Sequence, residues 1–452
     1  MIDIATTPPQ DGRRFGTGYQ VMLLVLIMLV SAFAYVDRTV LQTLGQSIKD
    51  DLSLSDFELG LLGGLSFAIF YATLGLPIAR LAETKSRVTI ISVSVALFSL
   101  FSGLCGLATG FATLFLFRVG VGIGEAGVSA PGTSLIGDHF PPHRRGMALT
   151  LMRLGAPVGS AFGTFVGAWV GMHYGWRTAI VVVSVPGLIV ALLFRLLLRE
   201  PPRGMSDTVE QRLTATKPPP MWQTFRTLFA DRAYLHLLIG LSVTSMGLYS
   251  AGNFAVPFYM RVHGLSLLDA GFYLGTISTI SSLIGMSLSG FGIDLIAKRG
   301  MRWYALVPCI GLMVTTPLYF YAYAAAPPFV AMVCMLVGGA FMFFHAVPTL
   351  VAMQNMVAVN MRTTAASLYF FVSTLVGVGL GPAIIGKLSD ILASSVLGGA
   401  FTAQCGKPPL DAACAAASAY GIRMALVVSC LFFVWGAIHY WLAARAIGKE
   451  RP

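Results

Sequence analysis

Asp37, Arg38, Arg118 and Glu125 lie inside stretches that otherwise read as membrane-spanning helix, VSAFAYVDRTVLQTLG over 30–45 and LFLFRVGVGIGEAGV over 114–128. Placing one ion in hydrocarbon costs about 2.5 kcal/mol or more, so such groups are kept mainly for work. A carboxyl group sheds its charge by taking a proton, whereas a guanidinium stays charged. Side by side they are the minimal equipment for coupling movement of a solute to protons. An apolar surround favours the neutral acid and a nearby guanidinium the ionised one, so the balance depends on which side a cavity opens. We expect Glu125 to be the main proton carrier and Asp37 the second acid. Arg38 and Arg118 would be counter-charges for a substrate anion or for the deprotonated acids. The other reading is a fixed network pairing Asp37 with Arg118 and Arg38 with Glu125.

Arg118 and Glu125 are two helical turns apart and share a face, with Gly122 between them leaving access open. The elements that must carry these groups follow from composition. The 452 residues are 56 % hydrophobic and 11 % charged, against about 25 % charged in a soluble domain. Apolar runs recur over 19–43, 57–79, 88–108, 111–136, 147–171 and 177–198, and again over 233–258, 267–292, 303–324, 327–350, 363–389 and 420–444. Each approaches or exceeds the ~20 residues of a spanning helix. The chain reads as an all-α integral membrane protein of twelve helices.

The net charge of +11 does not point to nucleic acid, because of where the charge falls. With the N-terminus inside, inner loops and tails hold most of the Lys and Arg. Outer loops and helix ends hold only Lys49, Arg177, Arg261, Lys387, Lys407 and Arg423. That bias puts both termini in the cytoplasm, with some inner basic residues free to bind anionic lipid headgroups. The first apolar run is too long for a signal peptide and reads as the first helix. Cys105, Cys309, Cys334 and Cys430 read as packing residues. Cys405 and Cys414 share an outer loop, where an oxidising compartment would join them as a disulfide and any other would leave two thiols.

The polar segment beginning REPPRGMSDTVEQRL at Arg199 divides the chain into an N-terminal bundle (1–198), a cytoplasmic linker (199–232) and a C-terminal bundle (233–452). The halves echo one another. Glu83 to Arg87 follow the second helix; Asp294, with Lys298 and Arg299, follows the eighth. Repeated halves with a site between them are a common transporter design. Glycines at 155, 159, 163, 167 and 171 form an i, i+4 ladder along which two helices pack closely, either rocking or static.

This plan, with acid and basic residues in the loops after helices two and eight, resembles the major facilitator superfamily. Within it, Tyr35-Val-Asp37-Arg38, Arg118-Val-Gly-Val-Gly122-Ile-Gly124-Glu125 and Pro157-Val-Gly159-Ser160 are similar to the Spinster family, as is Arg199-Glu-Pro-Pro-Arg-Gly204. The resemblance implies two pseudo-symmetric six-helix bundles, helices one and four lining a central cavity, and alternating access. It implies an amphiphile such as a lysophospholipid or sphingoid lipid as substrate, and a chain that works as a monomer. Thr374 stands where animal members tend to carry histidine, and Glu83-Thr84 where facilitators usually show Asp-Arg. Glu83, Arg87 and Asp294 would clamp the inner loops. Arg153, one turn inside helix five, would join the inner gate or reach to the cytoplasm.

The C-terminal half is poor in charge and rich in rings and hydroxyls. Tyr249, Asn253, Tyr369 and Thr374 are candidates for the cavity wall, with ordinary packing and hydroxyls bonded to backbone carbonyls as the alternative. A charged half facing an aromatic half suits a charged head and an acyl tail. A small organic anion or drug is the second substrate class, and a lipid sensor without transport is the third reading. No Walker A motif, metal-ligand spacing or nucleophile elbow is present, and Gly120-Val-Gly122-Ile-Gly124 follows no strand. No enzyme chemistry and no cofactor is expected. Compact loops suggest a bacterial inner membrane.

Overall fold

The computed structural model describes residues 16–203, 205, 221–296, 300–357, 361–399, 401–405 and 410–450. The middle of the expected linker, the basic residues Lys298 and Arg299, and the side chain of Asp294 fall outside them. Every regular element among the described residues is helical. Eleven helices are long and apolar enough to cross a membrane. The longest is two spans joined at Gly175, whose φ of 82° breaks the helix in a region that favours glycine. Twelve spans result, in two bundles of six.

The N-terminal bundle starts with α1 (Thr17–Leu52) and α2, which is broken into Asp56–Gly63 and Leu65–Thr84. Next come α3 (Arg87–Cys105) and α4, broken into Phe111–Glu125 and Ser129–His139. The helix Pro142–Leu197 supplies α5 before Gly175 and α6 after it. A short surface helix, Met221–Ala230, leads into the second bundle. That bundle has α7 (Arg232–His263), α8 (Leu267–Ile296), α9 (Trp303–Ala324) and α10, whose segments Pro328–Met342 and Ala346–Asn355 flank a 3-10 turn. In α11, a π-helical stretch Ser373–Leu380 separates Arg362–Val372 from Gly381–Leu397. Ala412–Glu450 forms α12.

The breaks in α2, α4, α10 and α11 leave no trace in hydropathy, because the residues on both sides stay apolar. They expose backbone groups that need partners inside the protein. In α2 the carbonyl of Leu62, just before the break, accepts from Arg118 Nε at 3.4 Å and from the Ser66 hydroxyl at 2.9 Å.

The glycine ladder of α5 meets α1. A side chain at Gly155 would strike the backbone of Met28 and Ala32, one at Gly159 the backbone of Ala32, and one at Gly163 that of Val36. Both helices belong to the N-terminal bundle, so the ladder is packing within one half. The seam between the halves relies on other small residues. Gly60 lies against Pro382 and Ala383, Gly64 against Val378 and Gly379, Gly386 against the Asp56 backbone, and Gly271 against Ala168. Gly122 leaves no access path either, because the Phe67 carbonyl fills the place its side chain would take, 2.6 Å from an ideal Cβ. Cys405 and Cys414 are joined as a disulfide with Cα atoms 5.6 Å apart, and both cysteines are buried in a small apolar cluster with Phe401 and Ala417.

Candidate functional site

The four charged residues meet. Arg118 donates from Nη1 to Asp37 Oδ2 at 2.6 Å, and Arg38 donates from Nε to Glu125 Oε2 at 3.1 Å and to the same oxygen from Nη2. Arg118 and Glu125 stand about 10 Å apart along α4, yet adjacent residues of α1 reach both, because the long Arg38 side chain spans the difference. Phe67 of α2 lies between the two pairs. Its ring centroid is 4.3 Å from the Arg38 guanidinium carbon and 5.9 Å from that of Arg118. Rings of Tyr35 and Tyr71, each 5.3 Å away, complete an aromatic collar around Arg38. Such contacts stabilise a cation without cancelling its charge.

The two pairs differ in surroundings. Arg118 is 2 % exposed and Asp37 9 %, whereas Arg38 keeps 19 % of its side chain open beside Tyr35, itself 37 % exposed. Glu125 is 2 % exposed, and its Oε1 has no hydrogen-bond partner among the described residues. One oxygen of this carboxylate takes both bonds from Arg38 and the other takes none.

The C-terminal candidates separate. Tyr249 packs against the N-terminal cluster, within electrostatic reach of Tyr35, Arg38 and Tyr71, and so faces the charged site. Asn253 is 3 % exposed and lies against Gly63 at the break in α2, a seam position. The Tyr369 hydroxyl donates to the Ala346 carbonyl at 3.2 Å, and Tyr369 is 7 % exposed. Thr374 is half-buried inside the π-helical stretch.

One end of the seam is closed by a polar cluster that sequence reasoning missed. Asp56 accepts from Arg261 Nη1 and Nη2, both at 2.8 Å, from Lys49 Nζ at 2.5 Å and from the Ser389 hydroxyl at 2.7 Å. Asp390 caps the start of α2 by accepting from the backbone N–H groups of Asp56 and Phe57 at 3.0 and 2.9 Å. Arg261 also donates to Gln46 at 2.6 Å. Helices α1 and α2 are thereby tied to α7 and α11. The available signal was the Ser55–Glu58 capping box, which starts α2 at Asp56.

At the other end Arg153 is exposed, its guanidinium carbon 5.9 Å from the Phe370 ring across the seam. Glu83 is exposed and forms no ion pair among the described residues. Arg87 is buried and pairs with Asp138 of its own half and, at 2.7 Å, with Glu200 at the start of the linker. Glu200 also accepts from the Val88 N–H at 3.0 Å and the Ser86 hydroxyl at 3.0 Å. Burial pushes the Glu200 carboxyl up, but the Val88 N–H and Arg87 outweigh it and hold it below its ordinary value. This clasp braces the N-terminal bundle internally and does not cross the seam.

The Major Facilitator Superfamily model matches residues 27–382, most of both bundles. The chain belongs to this family. This facilitator is similar to a bacterial homologue of the human lysosomal transporter Spinster, in an inward-facing and unoccupied conformation. The TM-score is 0.86 at 29 % identity, covering 97 % of this chain and 99 % of that one. It is 28 % identical to an MFS-type efflux pump of Mycolicibacterium smegmatis over 94 % of this chain and 92 % of the relative. A hexuronate transporter of Bacillus subtilis is 24 % identical over 81 % of this facilitator and 87 % of its own length. The facilitator is thus an integral membrane secondary transporter, Spinster-like in sequence and fold, and its relatives are transporters.

Proposed function

We propose that this facilitator couples proton movement to transport of an amphiphilic, lipid-like anion, a lysophospholipid or a sphingoid phosphate, by alternating access. The observation that carries the reading is the lopsided Glu125 carboxylate. With Oε2 held by Arg38 and Oε1 without a donor, a proton on Oε1 neutralises the acid and releases Arg38. The freed guanidinium, in its aromatic collar, then takes the substrate's anionic head. Loss of the proton restores the Arg38–Glu125 pair and expels the head. Asp37 is the second acid in this scheme, and Arg118 is its counter-charge. Tyr249, Asn253, Tyr369 and Thr374 belong to the largely uncharged half that would face the tail.

The halves, 1–198 and 233–452, rock about the seam. The Asp56 cluster is the gate at one end, while Arg153 with Phe370 begins the gate at the other. Arg87, clasped by Asp138 and Glu200, braces the loops on that side. We place both termini in the cytoplasm of a bacterium, with the closed gate facing outward and the chain acting as a monomer.

The second reading is a small organic anion, favoured by the similarity to the hexuronate transporter and by the exposed Arg153 at the open end. Competition separates the two. Uptake of a labelled lysophospholipid into proteoliposomes that is blocked by sphingoid phosphates and indifferent to hexuronates supports the first. Blockade by hexuronates alone supports the second, and binding without uptake would leave only a sensor.

A further inference from the structure

Away from the charged site, a groove of 510 Å³ opens on the flank of the molecule between α5 and α8. Its walls come from different halves: Phe165 and Trp169 from α5, and Leu268, Asp269 and Phe272 from α8. Phe165 and Phe272 meet with ring centroids 5.9 Å apart, and Gly271 behind them lets Ala168 approach. Trp169 is 50 % and Phe272 54 % exposed. The volume falls within the roughly 300–1,000 Å³ of ligand sites.

The lining is graded with depth. Asp269 lies in the first turn of α8, where it closes a cap with Ser266, whose hydroxyl donates to it at 2.7 Å. Trp169 meets His173 in a tilted pair at 4.9 Å and Tyr174 at 6.1 Å, an aromatic group of the kind found at headgroup level. One turn deeper, about 5 Å along each helix, the wall is apolar, made by Phe165, Val166 and Phe272. Asp269 carries the one charge among the lining residues. An acid and an indole lining one groove select a cation, and the apolar wall below them selects a chain.

We propose that this groove is a site for a phospholipid with an ammonium headgroup, its amine between Asp269 and Trp169 and one acyl chain lying along the apolar wall of Phe165, Val166 and Phe272. Because the two walls belong to the two halves, parting them at this end separates Trp169 from Asp269 and dismantles the site. A lipid seated there therefore bridges the seam and holds this end shut, whatever the transported substrate is.

Native mass spectrometry of the full chain in detergent, titrated with phosphatidylethanolamine or phosphatidylglycerol of matched chains, tests the assignment. Wild type should bind the ethanolamine lipid about five-fold more tightly, equivalent to ~1 kcal/mol. Asp269→Asn should lose that preference, and Phe272→Trp, which bulks out the apolar wall into the groove and keeps the acid, should weaken both lipids alike. The ethanolamine lipid should also narrow the distance distribution between spin labels at positions 57 and 387 more than the glycerol lipid does. Equal binding of both lipids by wild type, or a preference that survives Asp269→Asn, overturns the proposal and leaves annular lipid only.

Discussion

Arg118 donates from Nη1 to Asp37 Oδ2 over 2.6 Å, with the guanidinium almost fully buried. The bond fastens α4 to α1, while Arg118 Nε reaches the Leu62 carbonyl beside the break in α2. Three helices of one bundle are therefore held by a single guanidinium. Asp37 and Arg38 are neighbours in sequence, yet only the Arg38 pair borders the open space beside Tyr35. The Asp37–Arg118 pair is the more enclosed of the two, and the Arg38–Glu125 pair the more accessible.

Asp37→Asn removes the partner of a buried cation and should destabilise the folded protein by about 3–5 kcal/mol. Removing the second charge as well, in Asp37→Asn with Arg118→Gln, should recover a large part of that loss, although neither variant transports. Thermal unfolding of the purified variants checks this. A double variant no more stable than the single one would contradict the pairing.

Asp56→Asn leaves Lys49 and Arg261 facing each other without their shared carboxylate. The closed end should open, because two like charges then lie in one buried cluster. Labels at positions 57 and 387, on opposite sides of the seam, should move from a short, narrow distance distribution to a longer, broader one. An unchanged distribution would remove Asp56 from the gate.

The Glu200 clasp should be acid-sensitive. Its folded pKa lies below the ordinary value, so it binds fewer protons folded than unfolded. Its contribution to stability is complete above the unfolded pKa of about 4.3 and is lost as pH falls through the folded value. Glu200→Gln should lower the melting temperature at pH 7 but leave it close to wild type in strong acid. Parallel pH curves for the two proteins would dissociate Glu200 from this dependence.

The sequence made the twelve spans and both ion pairs legible, because long apolar runs and charges stranded inside them are local signals. Even the partners of Asp37 and Arg38 followed once α1 and α4 were taken as neighbours. The role of Gly122 did not. Spacing left it as an opening, whereas only packing reveals that the Phe67 backbone fills it. The collar of Phe67 and Tyr71 was equally hidden, since aromatic residues on an apolar helix announce nothing. Lys49 and Arg261 were read as topology signals at outer helix ends. Their shared partner Asp56 is distant from Arg261 in sequence, and the cluster exists only because the two halves touch. The α5 ladder was read from spacing that two packed helices produce whether or not they move. Its partner, α1, places it inside one half.

In the mechanism we propose, Glu125 carries the proton that controls Arg38. The direct measurement is substrate-driven proton flux into liposomes containing a pH-sensitive dye, comparing wild type with Glu125→Gln at matched reconstitution. Wild type should show flux on addition of the lysophospholipid, and the variant, which still folds and still binds substrate, only background. Flux of wild-type size in Glu125→Gln would contradict that mechanism.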